Sequence, residues 1–355
     1  MVDREDAFSD SGEKAKVENI EQNSQNDLAP IRVIIDTKVE PYFDASETSE
    51  KLILALAAAD SYARSEKAAN TLKSYESHLR GFAAWCTASD TAFMPATVAT
   101  VGAHLASLAE NGKSASTIMT RLAAIAYAHR RLGHDDPTQS ERVKQVLRGI
   151  KRSIGTAQKQ KAPATAKFVR AMVKGLPDTM IGKRDRALLM IGFAGAFRRS
   201  ELVALDVADV ERQPEGILIR IGRSKTDQEG AGQLVAIPRG VKLKPVAALD
   251  DWLALAGITS GPIFRPVNKG GRVLPDRLTD QSVALVVKHR AAAAKLDPAL
   301  FAGHSLRAGF VTSALEDGAD ALRVMDQTRH KSVDTLRKYD RRAKAFIGHA
   351  GKSFL

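Results

Sequence analysis

The sequence predicts a mainly α-helical protein of two domains, the second of which also contains a small antiparallel sheet. Apolar residues recur every three or four positions over most of the chain from residue 48 onward, which is the spacing of one helix face. Only two short β-prone runs interrupt that pattern. A chain of 355 residues is long enough for two hydrophobic cores.

The first part of the chain is expected to be an acidic tail followed by a helical domain. Residues 1–47 are rich in Asp, Glu, Ser, Asn and Gln and lack apolar periodicity, so we predict a disordered tail. Residues 48–152 are typical of a compact domain of five helices with short polar breaks. One helix carries a well-defined apolar face formed by Leu72, Tyr75, Leu79, Phe82 and Trp85.

A basic linker is expected to connect this domain to the second one. Residues 153–167 lose periodicity and contain Gly155, Pro163 and several lysines. Residues 168–355 then form the second domain. Its predicted elements are helices at 168–175 and 184–205, antiparallel strands at 217–221 and 234–237, and helices at 246–256, 279–294, 307–316 and 319–327.

The charge of the chain favours a polyanionic partner. There are 53 Lys and Arg against 41 Asp and Glu, a net charge of +12. Residues 1–29 hold eight acidic and three basic residues, a net charge of −5, so the rest of the chain carries +17. Releasing counterions from nucleic acid drives the binding of such a protein. A basic protein without a nucleic-acid partner fits the same charge.

Several classes of protein are disfavoured. The single cysteine, Cys86, excludes an intramolecular disulfide and is too little for a Cys-rich zinc site. No stretch approaches the roughly 20 apolar residues of a membrane span, and the N-terminus does not resemble a signal peptide. We expect a cytoplasmic protein with no membrane partner, working at the bacterial nucleoid or encoded by a phage or plasmid.

Two motifs place an arginine three positions from a possible partner. Glu201 follows Arg198 by three, so its carboxylate should hold that guanidinium while Arg199 points elsewhere. His304 and Arg307 have the same spacing and would share one helix face. Taken alone, the first motif is better explained as an ordinary ion pair, and the second is common by chance.

Three further residues carry reactive side chains in the second domain. Lys225 lies where the first strand enters a Gly-rich loop, and a surface lysine is the alternative interpretation. His330 precedes Tyr339 by nine positions, which at about 100° per residue puts them on opposite sides of one helix. They would therefore meet only on separate elements, with Ser332 as a possible N-cap. A half-buried helix residue is the alternative for Tyr339.

Together these residues resemble the catalytic set of the tyrosine recombinase (phage integrase) family, of the Cre type. Arg-x-Ser-Glu-Leu at 198–202 and His-x-x-Arg at 304–307 resemble its two arginine boxes, and segments 82–86, 116–118 and 129–131 resemble its helical DNA-binding domain. The resemblance covers about residues 50–350 and follows the family order Arg198, Lys225, His304, Arg307, His330, Tyr339. Arg329 is a departure, because the family often has Gly before this histidine.

The resemblance implies a SAM-like core-binding domain, an α+β catalytic domain and a mechanism. Tyr339 would attack a DNA phosphodiester and form a 3′-phosphotyrosyl link. Arg198, held by Glu201, and Arg307 would clamp the non-bridging oxygens. His330 would add a hydrogen bond, His304 would orient the phosphate or move a proton, and Lys225 would protonate the leaving 5′ oxygen. Neither ATP, a cofactor nor a metal is expected, and the motifs lack the carboxylate cluster of a two-metal nuclease.

The same resemblance implies the partners. These would be double-stranded DNA with an inverted-repeat site and further copies of the chain, forming a tetramer on two sites and passing through a Holliday junction. Segment 340–355 would dock on a neighbouring protomer, and packing in cis is the alternative that the sequence leaves open. The expected DNA contacts are Lys73, Arg80, Thr117, Thr120 and Arg121, which lie off the apolar faces, and Gln281, which would read adenine. A solvated helix face is the alternative for the first five.

Two other functions remain open. A type IB topoisomerase or a telomere resolvase shares the catalytic set, although the short chain and the short segment after Tyr339 argue against both. A catalytically silent DNA-binding protein is the third possibility, and the complete set of six residues argues against it.

Overall fold

The computed structural model describes residues 66–157, 160–222 and 232–329, together with a few positions between 52 and 62. The chain forms two compact units that divide between residues 159 and 160. Several predictions lie outside the described residues: the tail 1–47, the candidates Lys225, His330 and Tyr339, and the segment 340–355.

All the regular elements in the described part of the first unit are helices. It contains α1 (Ala69–Ala88), α2 (Val98–Glu110), α3 (Ala115–Arg131), a 3₁₀ turn (Pro137–Gln139) and α4 (Glu141–Ile154). The side chains of Thr97, Ser114 and Ser140 accept hydrogen bonds from backbone amides in the first turns of α2, α3 and α4. These N-caps satisfy amides that have no partner inside the helix, so they fix where each helix begins.

The predicted apolar helix faces form the core of this unit. Leu79 and Phe82 of α1 are fully buried, and Cys86 is buried beside them. His129 is also buried: its Nε2 accepts from the Ala96 amide at 2.9 Å, and its Nδ1 lies 2.8 Å from the Ile125 carbonyl oxygen. The imidazole therefore ties the chain before α2 to α3, which is a structural role.

The second unit combines helices with one small sheet. Its elements are α5 (Ala166–Lys174), α6 (Met180–Ala194), α7 (Arg199–Ala204), a 3₁₀ turn (Val207–Asp209), β1 (Val210–Gln213), β2 (Gly216–Ile221), β3 (Gln233–Pro238), α8 (Pro245–Ala256), α9 (Asp280–Ala293), a 3₁₀ turn (Pro298–Leu300), α10 (Ser305–Glu316) and α11 (Ala321–Thr328). The strands are antiparallel in the order β1–β2–β3. Ile217 faces Ile237 and Ile219 faces Val235 across β2 and β3, and all four are buried.

The mainly helical fold with a small antiparallel sheet is confirmed, but one predicted helix was wrong and one strand was missed. The single helix expected over 184–205 is two helices, because the chain turns at 195–198. Ala196 and Phe197 in that turn are buried and continue the apolar run, which hid the break. Strand β1 was not predicted, because Val-Glu-Arg-Gln is short and its central residues are exposed.

The segment predicted as a linker is structured at both ends. Helix α4 continues to Ile154, and the chain from residue 160, which belongs to the second unit, is held there by backbone hydrogen bonds. The Ala162 amide donates to Leu300 O at 2.7 Å, and the Ala164 amide donates to Ser305 O at 2.8 Å. The carbonyl of Ala164 lies so close to Gly309 that a Cβ there would be 1.8 Å from its oxygen. Glycine is therefore required at that point of α10.

One group of buried charges joins α6 to α9. Asp185 Oδ1 accepts from Nε and Nη2 of Arg184 at 2.8 and 2.6 Å. Asp185 Oδ2 accepts from Nε and Nη2 of Arg290, each at 2.6 Å. We call these three residues the Asp185 cluster.

No helix among the described residues is long and apolar enough to cross a membrane.

Candidate active site

The candidate site lies where the turn between α6 and α7 meets the start of α10 and the end of α11. Arg198 is the residue before α7, His304 is the residue before α10, and Arg307 is in the first turn of α10. Arg198 and Arg307, far apart in sequence, belong to one region because each has a partner in the 195–201 segment, and His304 lies three residues before Arg307. We call Arg198, Glu201, Arg307 and Arg329 the Glu201 cluster.

Glu201 orients Arg198, but not in the way the sequence suggested. The two were expected on one side of a single helix, whereas Arg198 caps α7 and Glu201 folds back from the first turn. The Arg198 amide donates to Glu201 Oε2 at 2.9 Å, and Arg198 Nη1 donates to Oε1 at 2.5 Å. The same three-residue spacing serves a helix cap as well as a helix face, so the pairing of these residues was predicted correctly.

The neighbouring arginine points elsewhere, as the spacing indicated. Arg199 Nε lies 3.0 Å from Asp280 Oδ2 at the start of α9, and both side chains are partly exposed. The side chain of Arg199 also passes over Gly303, where a Cβ would lie 3.1 Å from its Cδ. Arg198 and Arg199 therefore serve different contacts.

Arg307 is buried, and the turn at 195–198 between α6 and α7, which was not predicted, holds its side chain. Its Nη1 donates to the Ala196 carbonyl oxygen at 2.8 Å. Ala196 has a positive φ of 46°, which turns the chain between α6 and α7. His304, three residues before Arg307, is exposed.

Arg329 is a member of the site that sequence reasoning missed. It ends α11 in the left-handed conformation (φ 58°, ψ 43°) and is 8% exposed. Its Nη2 donates to Glu201 Oε2 at 2.8 Å, although the two residues are 128 positions apart. The only signal in the sequence was an arginine where the family often has glycine, the residue best suited to this conformation.

The charge of Glu201 is stabilised from both sides. Burial by itself would raise the pKa of this carboxyl group, but the positive charge of Arg329 and the hydrogen bonds and charge of Arg198 outweigh burial. The pKa of Glu201 is therefore below its ordinary value, and the group is ionised at neutral pH. Within the described residues, no three His, Cys, Asp or Glu side chains come together as a possible metal site.

The candidate DNA contacts of the first unit differ in orientation. Lys73 and Arg80 of α1 are exposed, and Arg80 Nη2 lies 3.3 Å from Glu76 Oε1. Thr117 and Thr120 are half-buried, and their hydroxyls contact Ser114 Oγ and Ser116 O. Contact of these residues with DNA stays a prediction.

Arg121 was expected to lie off the apolar face of α3 and contact DNA, but its side chain packs against two histidines of the first unit. Its Nε donates to His78 Nδ1 at 3.1 Å, and its Nη1 lies 3.3 Å from His104 Nε2. The guanidinium covers Gly81, where a Cβ would lie 2.8 Å from its nitrogens. Burial, and then the charge of Arg121, lowers the pKa of His104 to about 4, so His104 is neutral at pH 7.

Gln281 is exposed in the first turn of α9. Thr279 caps this helix by accepting from the Ser282 amide at 3.2 Å. Recognition of adenine by Gln281 stays a prediction.

Comparison with known proteins gives consistent matches to both units. The model "Phage integrase family" matches residues 164–345, and the model "Phage integrase, N-terminal SAM-like domain" matches residues 60–134. An "Integrase/recombinase xerD homolog" of Selenomonas ruminantium is 39% identical over 290 residues, which cover 80% of this chain and 85% of the relative. "Recombinase cre" of Escherichia phage P1 is 26% identical over 299 residues, covering 79% and 86%.

Solved structures show the same fold. The XerH site-specific recombinase bound to palindromic difH substrate, in a post-cleavage complex, aligns with a TM-score of 0.59 at 16% identity, covering 90% of this chain and 93% of that one. A lambda integrase tetramer bound to a Holliday junction aligns with a TM-score of 0.54 at 16% identity, covering 88% and 81%.

Proposed function

Because the chain belongs to the phage integrase family and is a tyrosine recombinase, we propose that it cleaves and rejoins DNA at specific sites through a 3′-phosphotyrosyl intermediate on Tyr339. The observation that carries the proposal is the Glu201 cluster. Two buried networks, one around Glu201 and one around the Ala196 carbonyl, hold Arg198 and Arg307 in a single region. A pair of fixed guanidinium groups suits the oxygens of a phosphodiester.

The proposed reaction begins with attack of the Tyr339 phenol oxygen on phosphorus. A tyrosine has a pKa of about 10, so its proton leaves as the new P–O bond forms, and His304 assists this transfer. Negative charge builds on the non-bridging oxygens, where Arg198, Arg307 and a hydrogen bond from His330 stabilise it. The bond to the 5′ oxygen breaks, and Lys225 supplies the proton that this leaving oxygen needs.

The covalent link conserves the energy of the broken bond. A 5′ hydroxyl of a second strand can therefore attack the phosphotyrosine and release Tyr339 without ATP. Protein side chains supply all the charges and protons in this scheme, which requires no metal. Exchange of two strands in this way gives a Holliday junction, and exchange of the other two completes recombination.

The proposed assembly is a tetramer on two DNA sites, each with inverted repeats. The first unit would contact DNA through Lys73, Arg80, Thr117, Thr120 and Arg121, and α9 would contribute Gln281. Lys73, Arg80 and Gln281 are exposed, which supports their proposed contact with DNA. Segment 340–355 would dock on the neighbouring protomer. Action on a bacterial chromosome, phage or plasmid would place the protein in the cytoplasm.

A covalent-adduct assay tests the proposal. The protein is incubated with DNA from its own locus, denatured in detergent and analysed for protein bound covalently to DNA. We expect an adduct from the wild type and none from Tyr339→Phe. Tyr127→Phe is the matched control, since it also loses one phenol hydroxyl and should keep the adduct.

Three results would contradict the proposed recombinase function. Absence of an adduct on every candidate site would favour a silent DNA-binding protein. An adduct that persists in Tyr339→Phe would assign the nucleophile elsewhere. Relaxed plasmid without recombinant product would indicate a topoisomerase.

A further inference from the structure

Arg329 occupies a position that is unfavourable for an arginine in two respects. Its left-handed backbone brings Cβ close to the following carbonyl, a conformation that glycine adopts without penalty. Its guanidinium is also buried, and the loss of hydration disfavours a charged group. An arginine here therefore depends on contacts that compensate for both effects.

The contacts of Arg329 offset part of this cost, although burial still holds the pKa of its guanidinium below the ordinary value. Nη2 donates to Glu201 Oε2 at 2.8 Å and to Ala196 O at 3.3 Å. Nη1 donates to Gln327 O at 3.0 Å and to Gly195 O at 3.3 Å. The guanidinium carbon lies 5.4 Å from the centre of the Phe197 ring, within the range of a cation–π contact.

Arg329 donates hydrogen bonds to the same two groups that hold the candidate phosphate-binding arginines Arg198 and Arg307. Glu201 accepts from Arg198 on Oε1 and from Arg329 on Oε2. The Ala196 carbonyl accepts from Arg307 at 2.8 Å and from Arg329 at 3.3 Å. A single side chain thus joins the partner of Arg198 to the partner of Arg307.

Arg329 also changes the net charge around Arg198. With Arg198 alone, the carboxylate of Glu201 would form a neutral pair and weaken the attraction of Arg198 for a phosphate. With Arg329 on the other oxygen, one negative charge is shared by two positive ones, and the trio carries a net charge of +1. Arg198 then keeps its orientation from Glu201 while the local charge stays positive.

The end of α11 is fixed well enough to hold Arg329 in this place. Gln327 Nε2 donates to Ala194 O of α6 and to Ala236 O of β3, each at 3.0 Å. The Arg329 amide donates to Asp326 O at 3.2 Å. Gln327, two residues before Arg329, therefore attaches the end of α11 to α6 and β3.

We propose that Arg329 is a positioning residue for the cleavage reaction, which offsets the charge of Glu201 and holds Arg198 and Arg307 ready for the scissile phosphate. This inference rests on the proposed function. It assigns to Arg329 an electrostatic role toward the phosphate, beyond the stability that its contacts give.

The main test compares two DNA substrates in single-turnover cleavage. One has the natural scissile phosphate, and the other has a neutral methylphosphonate at the same position. Arg329→Met should slow adduct formation on the natural substrate by about tenfold to a hundredfold, by analogy with the loss of a residue that orients a metal ligand. On the neutral substrate the variant should lie within about threefold of the wild type, because one non-bridging oxygen and its negative charge are missing from both the ground state and the transition state, which leaves the arginines less to stabilise.

Two other variants separate this role from folding. Arg329→Gly removes the side chain and the backbone strain together, so it should be at least as stable as Arg329→Met and show the same selective loss of cleavage. Arg323→Met is the matched control, since Arg323 is an exposed arginine of the same helix, and its cleavage should equal that of the wild type. Thermal unfolding is measured for all variants.

The carboxyl ¹³C resonance of Glu201 gives a readout that does not need cleavage. We expect its pKa to rise in Arg329→Met and to stay unchanged in Arg323→Met. Equal slowing on both substrates, unchanged cleavage of the natural one, or an unchanged Glu201 pKa would overturn the positioning role. If the wild type forms no adduct on any DNA, the proposed function fails, and the Glu201 resonance alone then decides whether Arg329 controls this carboxylate.

Discussion

Two carboxylates of the second unit each lie between two arginines, and they hold those arginines in different ways. In the Asp185 cluster, Arg184 and Arg290 each present two N–H groups to one carboxylate oxygen. In the Glu201 cluster, Arg198 and Arg329 each present one guanidinium N–H to the carboxylate, and the Arg198 amide supplies a third bond. Both carboxylate side chains are buried, each with 2% of its surface exposed.

The difference lies in where the arginines are anchored. The Asp185 cluster is contributed by two long helices, and its arginine side chains are 10% and 9% exposed. Arg198 stands before a short helix, and its side chain is 16% exposed. The same chemistry therefore joins two helices in one case and orients a more accessible guanidinium in the other. We expect the first cluster to govern stability and the second to govern reaction rate.

Replacing Asp185 should have the largest effect on stability. Asp185→Leu would leave Arg184 and Arg290 buried without their shared carboxylate, which should lower the free energy of unfolding of the second unit by about 3–5 kcal/mol. Urea unfolding followed by circular dichroism measures this loss. Asp178→Leu, which removes an exposed carboxylate, is the control and should leave the urea midpoint essentially unchanged. A loss of about 1 kcal/mol for Asp185→Leu would contradict a stabilising role for the cluster.

Replacing Arg198 should affect the reaction more than the fold. Arg198→Lys keeps the positive charge but loses the planar fork that matches a phosphate. We expect adduct formation to slow by about a hundredfold, equivalent to about 2.7 kcal/mol, with unfolding changed by about 1 kcal/mol or less. If stability fell as much as activity, the two clusters would not differ in the proposed way.

The pH dependence of stability should report on Glu201. Because its pKa is lowered in the folded state, its contribution is present above pH 4.5, the ordinary value, and is lost as the pH falls through the folded pKa. The gap in stability between wild type and Glu201→Gln should therefore be widest at neutral pH and narrow below pH 4.5. Urea midpoints across this range measure it, and a gap that stays constant would refute the assigned ionisation.

The smallest effect is expected at the arginine next to Arg198. Arg199→Ala removes a partly exposed ion pair with Asp280, which should change stability by about 0–1 kcal/mol. Adduct formation should be unchanged within about twofold. A hundredfold loss of cleavage in Arg199→Ala, with normal cleavage in Arg198→Lys, would reverse the assignment of the two adjacent arginines.

Local patterns predicted more of the first unit than of the candidate site. The apolar spacing from Leu72 to Trp85 anticipated α1, because periodicity reports which side of a helix faces the core. It did not anticipate that Arg121 turns toward His78 and His104, because those partners come from two other helices. The turn at 195–198 was missed for a related reason, since Ala196 and Phe197 are buried whether the helix continues or breaks.

By itself, the sequence determined the mainly helical fold with its small sheet, the β2–β3 pair and the pairing of Glu201 with Arg198, all of which depend on residues close together in the chain. Only the tertiary structure decided that Arg329 shares Glu201 with Arg198 and shares the Ala196 carbonyl with Arg307. Side-chain periodicity describes the orientation of residues within one element. A contact across 128 positions depends instead on how several elements pack, which no local pattern encodes.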